Sequence, residues 1–129
     1  MDLRKPLVIG TRLKDSFPQI RMDNGYDHNW IVEDWDHTLR PIARAWSPDS
    51  GIFMDVLTTM PGVQFYTGNF LDGCPPGKSG APYRNFCGFA LEAQYFTDSP
   101  HQPDFPSPVL RAGEVYRSQT VYRFTIKES

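Results

Sequence analysis

Near the end of the chain, residues 121–127 alternate strictly. Tyr122, Phe124 and Ile126 stand against Arg123, Thr125 and Lys127. Successive side chains on a strand point to opposite faces, so this segment predicts a half-buried β-strand. Residues 51–59 carry a denser apolar run, Ile52-Phe53-Met54 and Val56-Leu57, and predict a more buried strand. Residues 39–46 alternate more weakly, and Pro41 moves the start of that segment to an edge or a bulge. Between these two, Ser47-Pro48-Asp49-Ser50-Gly51 has turn chemistry, so 42–58 is expected to fold as a β-hairpin. Shorter strands are expected at 30–34, 63–67 and 88–96.

Twelve prolines and ten glycines interrupt nearly every window long enough for a helix. Only residues 6–14 are left to form a turn or two, and Gly10 weakens even that. Residues 72–85, with Asp72-Gly73 and Pro75-Pro76-Gly77, read as an irregular surface loop. Residues 99–108 hold prolines at 100, 103, 106 and 108 and are expected to be extended and polyproline-like. No repeat is present and no linker divides the chain. The pattern as a whole predicts one all-β domain.

Composition narrows the function. At 129 residues, 40% hydrophobic and 14% aromatic, the chain is long and apolar enough for one globular core. Thirteen basic residues nearly balance fifteen acidic ones. With no Lys/Arg run, neither nucleic acid nor an anionic membrane is an expected partner. No apolar run approaches a membrane span, and Met1 to Pro6 lacks a signal-peptide core, so a cytoplasmic location is expected. Cys74 and Cys87 have neither zinc-site nor redox-motif spacing and read as two free thiols.

One strand carries unusual chemistry. In 88–96, Phe89, Leu91, Ala93 and Tyr95 share an apolar face, while Ala90, Glu92, Gln94 and Phe96 share the other. Glu92 is a lone carboxylate among apolar neighbours and is expected to be partly desolvated. Removal from water strengthens a carboxylate's hold on a proton, which suits a general base near neutral pH. The alternative is a Glu satisfied by an arginine on a solvated face. In Pro61 to Asn69, Gln64 and Tyr66 oppose Val63, Phe65 and Thr67. An amide both donates and accepts, as a sugar hydroxyl does, although a Gln can equally pair with backbone at a strand edge. In Gly25-Tyr26-Asp27-His28-Asn29, Asp27 offers two acceptor oxygens for adjacent hydroxyls, or simply stabilises a turn. His28, His37 and His101 lack metal-ligand spacing. Trp30, Trp46, Phe65, Tyr66 and Phe70 could face a sugar ring, but most are expected in the core.

With these motifs in view, the sequence resembles the galactose mutarotase, or aldose 1-epimerase, family. The matching segments are Asp2 to Pro6, Gly25 to Asn29, Pro61 to Asn69, Gly88 to Gln94, Phe105 to Leu110 and Tyr122 to Phe124, in the family's order. The resemblance implies an antiparallel β-sandwich of the supersandwich type and interconversion of the α and β anomers of free aldoses. It implies no metal and no organic cofactor. It makes Glu92 the general base on the anomeric hydroxyl and Asp27 and Gln64 sugar-binding residues. His28 does not match the family's acid histidine. Family members are more than twice this long, and the segments with the acid histidine lie upstream of the matched part. Residues 1–129 are therefore expected to be the C-terminal portion of one mutarotase-like domain, incomplete by itself. The rival expectation is a carbohydrate-binding β-sandwich piece without catalysis.

Overall fold

In a computed structural model of the protein, residues 1–126 are described. Six strands dominate: β1 (Asp27–Ile31), β2 (Arg40–Trp46), β3 (Ile52–Thr58), β4 (Gly62–Tyr66), β5 (Ala90–Gln94) and β6 (Thr120–Ile126). The helical content is one short helix, α1 (Pro18–Met22), and 3-10 turns at Ile9–Arg12 and Ser99–His101. The strands form two three-stranded sheets, ordered β1-β4-β5 and β2-β3-β6. The all-β expectation is met. No helix among the described residues is long and apolar enough to cross a membrane.

Two compact units are distinguished: Met1–His28 with Phe65–Ala90, and Asn29–Gln64 with the residues from Leu91 onward. In the first, Tyr26 is 1% exposed and stacks on Phe65 with ring centroids 5.1 Å apart. Phe89 meets Phe65 edge-on at 6.2 Å. The alternation read in the sequence explains the packing, since Phe65 and Thr67 are both buried. Burial raises the Tyr26 phenol above its ordinary pKa.

In the second unit β2 and β3 form the expected hairpin, and Ser47 accepts the Gly51 N–H at 2.9 Å across the turn. Pro41 interrupts the register between Pro41 and Ala43, the bulge anticipated from its missing N–H. At the centre of the sheet, Arg44, Asp55 and Arg123 stand opposite one another on β2, β3 and β6. Asp55 is buried and accepts from Arg44 Nε at 2.5 Å and Arg123 Nη2 at 3.0 Å. A carboxylate on a buried strand position needs such partners.

Several expectations need correction. The strand expected at 30–34 lies at Asp27–Ile31, because the Asp23–Gly25 turn delivers the chain into the sheet earlier. Residues 99–101 wind into a 3-10 turn instead of extending, with Ser99 Oγ donating to the Phe96 carbonyl at 2.6 Å. Helix α1 was not anticipated; Pro18 opens it at the first turn, where a missing N–H costs nothing. Of the five aromatics expected mainly in the core, only Phe65 is buried, while Trp46 and Phe70 are exposed. The apolar face of β6 is also open, with Phe124 64% and Ile126 71% exposed. Lys127, the end of the expected final strand, lies outside the described residues. Cys74 and Cys87 are exposed free thiols.

Candidate functional site

Asp27, Gln64 and Glu92 lie one on each strand of the β1-β4-β5 sheet. Their surroundings are built by short-range devices within each unit.

In the first unit the turn before β1 is held by Asn69, whose side chain is fully buried. Its Nδ2 donates to the Asp23 carbonyl at 2.7 Å and the Tyr26 carbonyl at 3.0 Å. Its Oδ1 accepts from Thr67 Oγ at 2.6 Å. Thr67 Oγ in turn accepts the Tyr26 N–H at 3.0 Å. Gly25 makes this closure possible. Its φ is +144°, and a Cβ there would lie 2.4 Å from Asn69 Oδ1. Asp27 leaves this clamp half-buried, at the first position of β1. His28 follows, its ring lying between the Asp27 N–H and the Asp23 carboxylate. Nδ1 accepts the Asp27 N–H at 3.0 Å, which puts the neutral ring's proton on Nε2, 3.1 Å from Asp23 Oδ2. The carboxylate facing His28 is thus Asp23, which sequence spacing did not reveal.

In the second unit Gly62 sets a close approach. A Cβ at Gly62 would sit 2.6 Å from Asn29 Oδ1 and 3.0 Å from Phe96 Cδ1. The face of β4 that carries Gly62 therefore looks onto the Asn29 amide and the Phe96 ring. Strand alternation gives Gln64, two residues on, that same face of β4. The same rule gives Asp27 the face of Asn29 on β1, and puts Glu92 and Gln94 together on one face of β5. Gln64 is half-buried. Asn29 Nδ2 is buried with no hydrogen-bond partner among the described residues. Asn29 was not singled out from the sequence; its spacing of two from Asp27 on β1 is the signal that the two share a face.

Glu92 departs from expectation in one respect. It is the exposed residue of β5, flanked by half-buried Leu91 and Ala93. Apolar neighbours along the strand do not desolvate a side chain by themselves; that takes a layer above the face, and the described residues leave Glu92 open. Within the second unit the strands carry a carboxylate, Glu92, and the side-chain amides of Asn29 and Gln64, groups suited to hydroxyl recognition and proton transfer. His37 and His101 are exposed, as expected, and His101 pairs with Asp98 in the 3-10 turn. Among the described residues no group of three or more His, Cys, Asp or Glu side chains is placed to hold a metal ion.

Comparison with known proteins supplies the context. The family model for aldose 1-epimerase matches residues 1–123. The chain is 44% identical over 125 residues to galactose mutarotase from Mus musculus, covering 97% of this chain and 35% of that protein. It is 38% identical over 125 residues to aldose 1-epimerase from Escherichia coli K12, covering 95% of this chain and 36% of that protein. Among solved structures, the GalM/aldose epimerase homologue from C. elegans superposes with a TM-score of 0.71 at 30% identity, over 80% of this chain and 30% of that one. The chain spans about a third of the length of the relatives it matches.

Proposed function

The chain belongs to the aldose 1-epimerase family, and from that premise we propose that it is the base-bearing part of a mutarotase that interconverts the α and β anomers of free hexoses such as galactose and glucose. What supports this reading is that Asn29 and Gln64 take one side of the neighbouring strands β1 and β4, with Glu92 on β5, the next strand of that sheet. Asp27 and Gln64 bind sugar hydroxyls. Glu92 takes the proton from the anomeric hydroxyl as the bond from C1 to the ring oxygen breaks. The ring oxygen gains a proton, giving the open-chain aldehyde. After rotation about the C1–C2 bond, the hydroxyl formed from the ring oxygen attacks the other carbonyl face and gives its proton back to the group that supplied it, while Glu92 returns its proton to the new anomeric oxygen. Protonation of the ring oxygen falls to a group outside the matched third, since His28 is turned onto Asp23. The reaction needs no metal or organic cofactor. Residues 1–129 act as the C-terminal portion of one mutarotase-like domain, and the unbonded thiols of Cys74 and Cys87 agree with a cytoplasmic setting.

Desolvation of Glu92 belongs to this proposal as well. A layer over its exposed face is what would make the carboxylate an effective base. The exposure of Glu92 favours, for the chain by itself, a second reading: sugar binding without catalysis. Polarimetry on freshly dissolved α-galactose or α-glucose separates the two. Faster approach to the equilibrium rotation than in buffer supports the mutarotase. Calorimetric sugar binding with no acceleration supports the second reading.

A further inference from the structure

β1 opens on two titratable residues in succession, Asp27 and His28. Alternation sends their side chains to opposite faces of the strand. The backbone joins them instead: His28 Nδ1 accepts the Asp27 N–H at 3.0 Å. The His28 side chain is only 13% exposed, and its Nε2 lies 3.1 Å from Asp23 Oδ2. Asp23 is itself placed by the fold, since its carbonyl accepts from Asn69 Nδ2 at 2.7 Å.

This geometry fixes the state of the ring. A ring nitrogen that accepts a hydrogen bond carries no proton, so the neutral imidazole holds its proton on Nε2. The Asp23 carboxylate favours that tautomer, because its negative charge attracts an Nε2–H and repels a lone pair at the same place. The other tautomer would set two N–H donors against each other across 3.0 Å. The residue before Asp27 is held as well. Thr67 Oγ accepts the Tyr26 N–H at 3.0 Å, and the Thr67 N–H donates to the Tyr26 carbonyl at 3.0 Å. These bonds together fix the backbone from which the Asp27 carboxylate projects.

We propose that His28 is a positioning residue: its Nδ1, kept unprotonated by the Asp23 carboxylate, holds the Asp27 backbone in the orientation from which the Asp27 carboxylate takes sugar hydroxyls. The inference rests on the reading of Asp27 as a sugar-binding residue and adds the device that aims it. In this role His28 touches no sugar and passes no proton. Its contribution is preorganisation. A carboxylate already aimed loses less freedom when the ligand arrives, and a supporting residue locked by its own partners keeps that aim.

His28→Asn and His28→Gln separate the two ends of the ring. The Asn side-chain oxygen reaches the place of Nδ1 and keeps an acceptor for the Asp27 N–H, whereas the Gln amide reaches the place of Nε2 and does not. The measurements are long-range proton–nitrogen NMR of the His28 ring, hydrogen exchange at the Asp27 amide and galactose calorimetry, all on this chain. The parent is expected to show the Nε2–H tautomer. In His28→Gln, Asp27 exchange and the galactose Kd should each rise about tenfold, the worth of one hydrogen bond, while in His28→Asn both stay within about threefold of the parent. The proposal is overturned by an Nδ1–H tautomer in the parent, by equal Asp27 exchange in the two variants, or by galactose binding as tight in His28→Gln as in His28→Asn. The parent's ring spectrum needs no variant, so it decides the matter even where a substitution prevents folding. An Nε2–H tautomer with a protected Asp27 amide, in a parent that binds no galactose, supports the link from His28 to Asp27 and counts against the sugar-binding reading of Asp27.

Discussion

Replacing Asn69 by alanine removes three hydrogen bonds at once and tests whether the turn before Asp27 is held as described. The side chain is 0% exposed and bridges the Asp23 and Tyr26 carbonyls to the Thr67 hydroxyl. The Tyr26 carbonyl keeps its bond from the Thr67 N–H at 3.0 Å and lies 3.3 Å from the Thr67 hydroxyl, which can donate to it, so the main uncompensated loss is at the Asp23 carbonyl. At about 1 kcal/mol net per lost bond, with more where a buried group stays unsatisfied, the expected loss is about 2–4 kcal/mol. With an m value of about 2 kcal/mol/M for a chain of this size, the urea midpoint should fall by about 1–2 M. Thr67→Val is nearly isosteric and breaks the same network from the other side, so the two changes should be less than additive in a double-mutant cycle. A loss below about 0.5 kcal/mol for Asn69→Ala, the scale of ordinary surface changes, would refute the clamp.

Other consequences follow from the same geometry. Gly62→Ala places a methyl against Asn29 Oδ1 and the Phe96 ring and should cost about 1–3 kcal/mol, seen as a lower melting temperature, with weakened sugar binding in calorimetry. Val56→Ala deletes fully buried methyl groups at the centre of β3 and should cost about 2–3 kcal/mol in urea titration. Hydrogen bonds from Arg44 and then Arg123 hold the Asp55 carboxyl below its ordinary pKa. Its stabilisation is therefore full above the unfolded value of about 3.9 and is lost as pH falls through the lower folded value. The stability gap between the parent and Asp55→Asn should be constant from pH 7 to about 5 and shrink below about pH 4; a gap that does not change with pH would contradict the assigned partners.

The strands were legible where alternation ran long. Residues 121–126, 52–58 and 40–46 fell where period-two patterning put them, and Pro41 marked its own bulge. The motifs around Asp27, Gln64 and Glu92 were legible as short polar insertions in apolar strands. Three things were not. Helix α1 is five residues long, too short for a periodic signal, and Pro18 looked like a breaker rather than a first turn. The partnership of His28 with Asp23 depends on a turn closed by Asn69, some forty residues further along the chain. The exposure of Glu92, Trp46 and Phe124 depends on what lies over a face, and patterning along one strand records which face a residue takes, not whether that face is covered.

The central claim is that Glu92 is the proton acceptor of a mutarotase. Polarimetry on α-galactose tests it most directly, with this chain in complex with the remainder of the fold from the mouse relative and with the Glu92→Gln form of the same complex. General-base assistance is typically worth about 10²–10⁴-fold. The account predicts that Glu92→Gln lowers the catalysed rate by that factor while galactose still binds. An unchanged rate in the Glu92→Gln complex would contradict it.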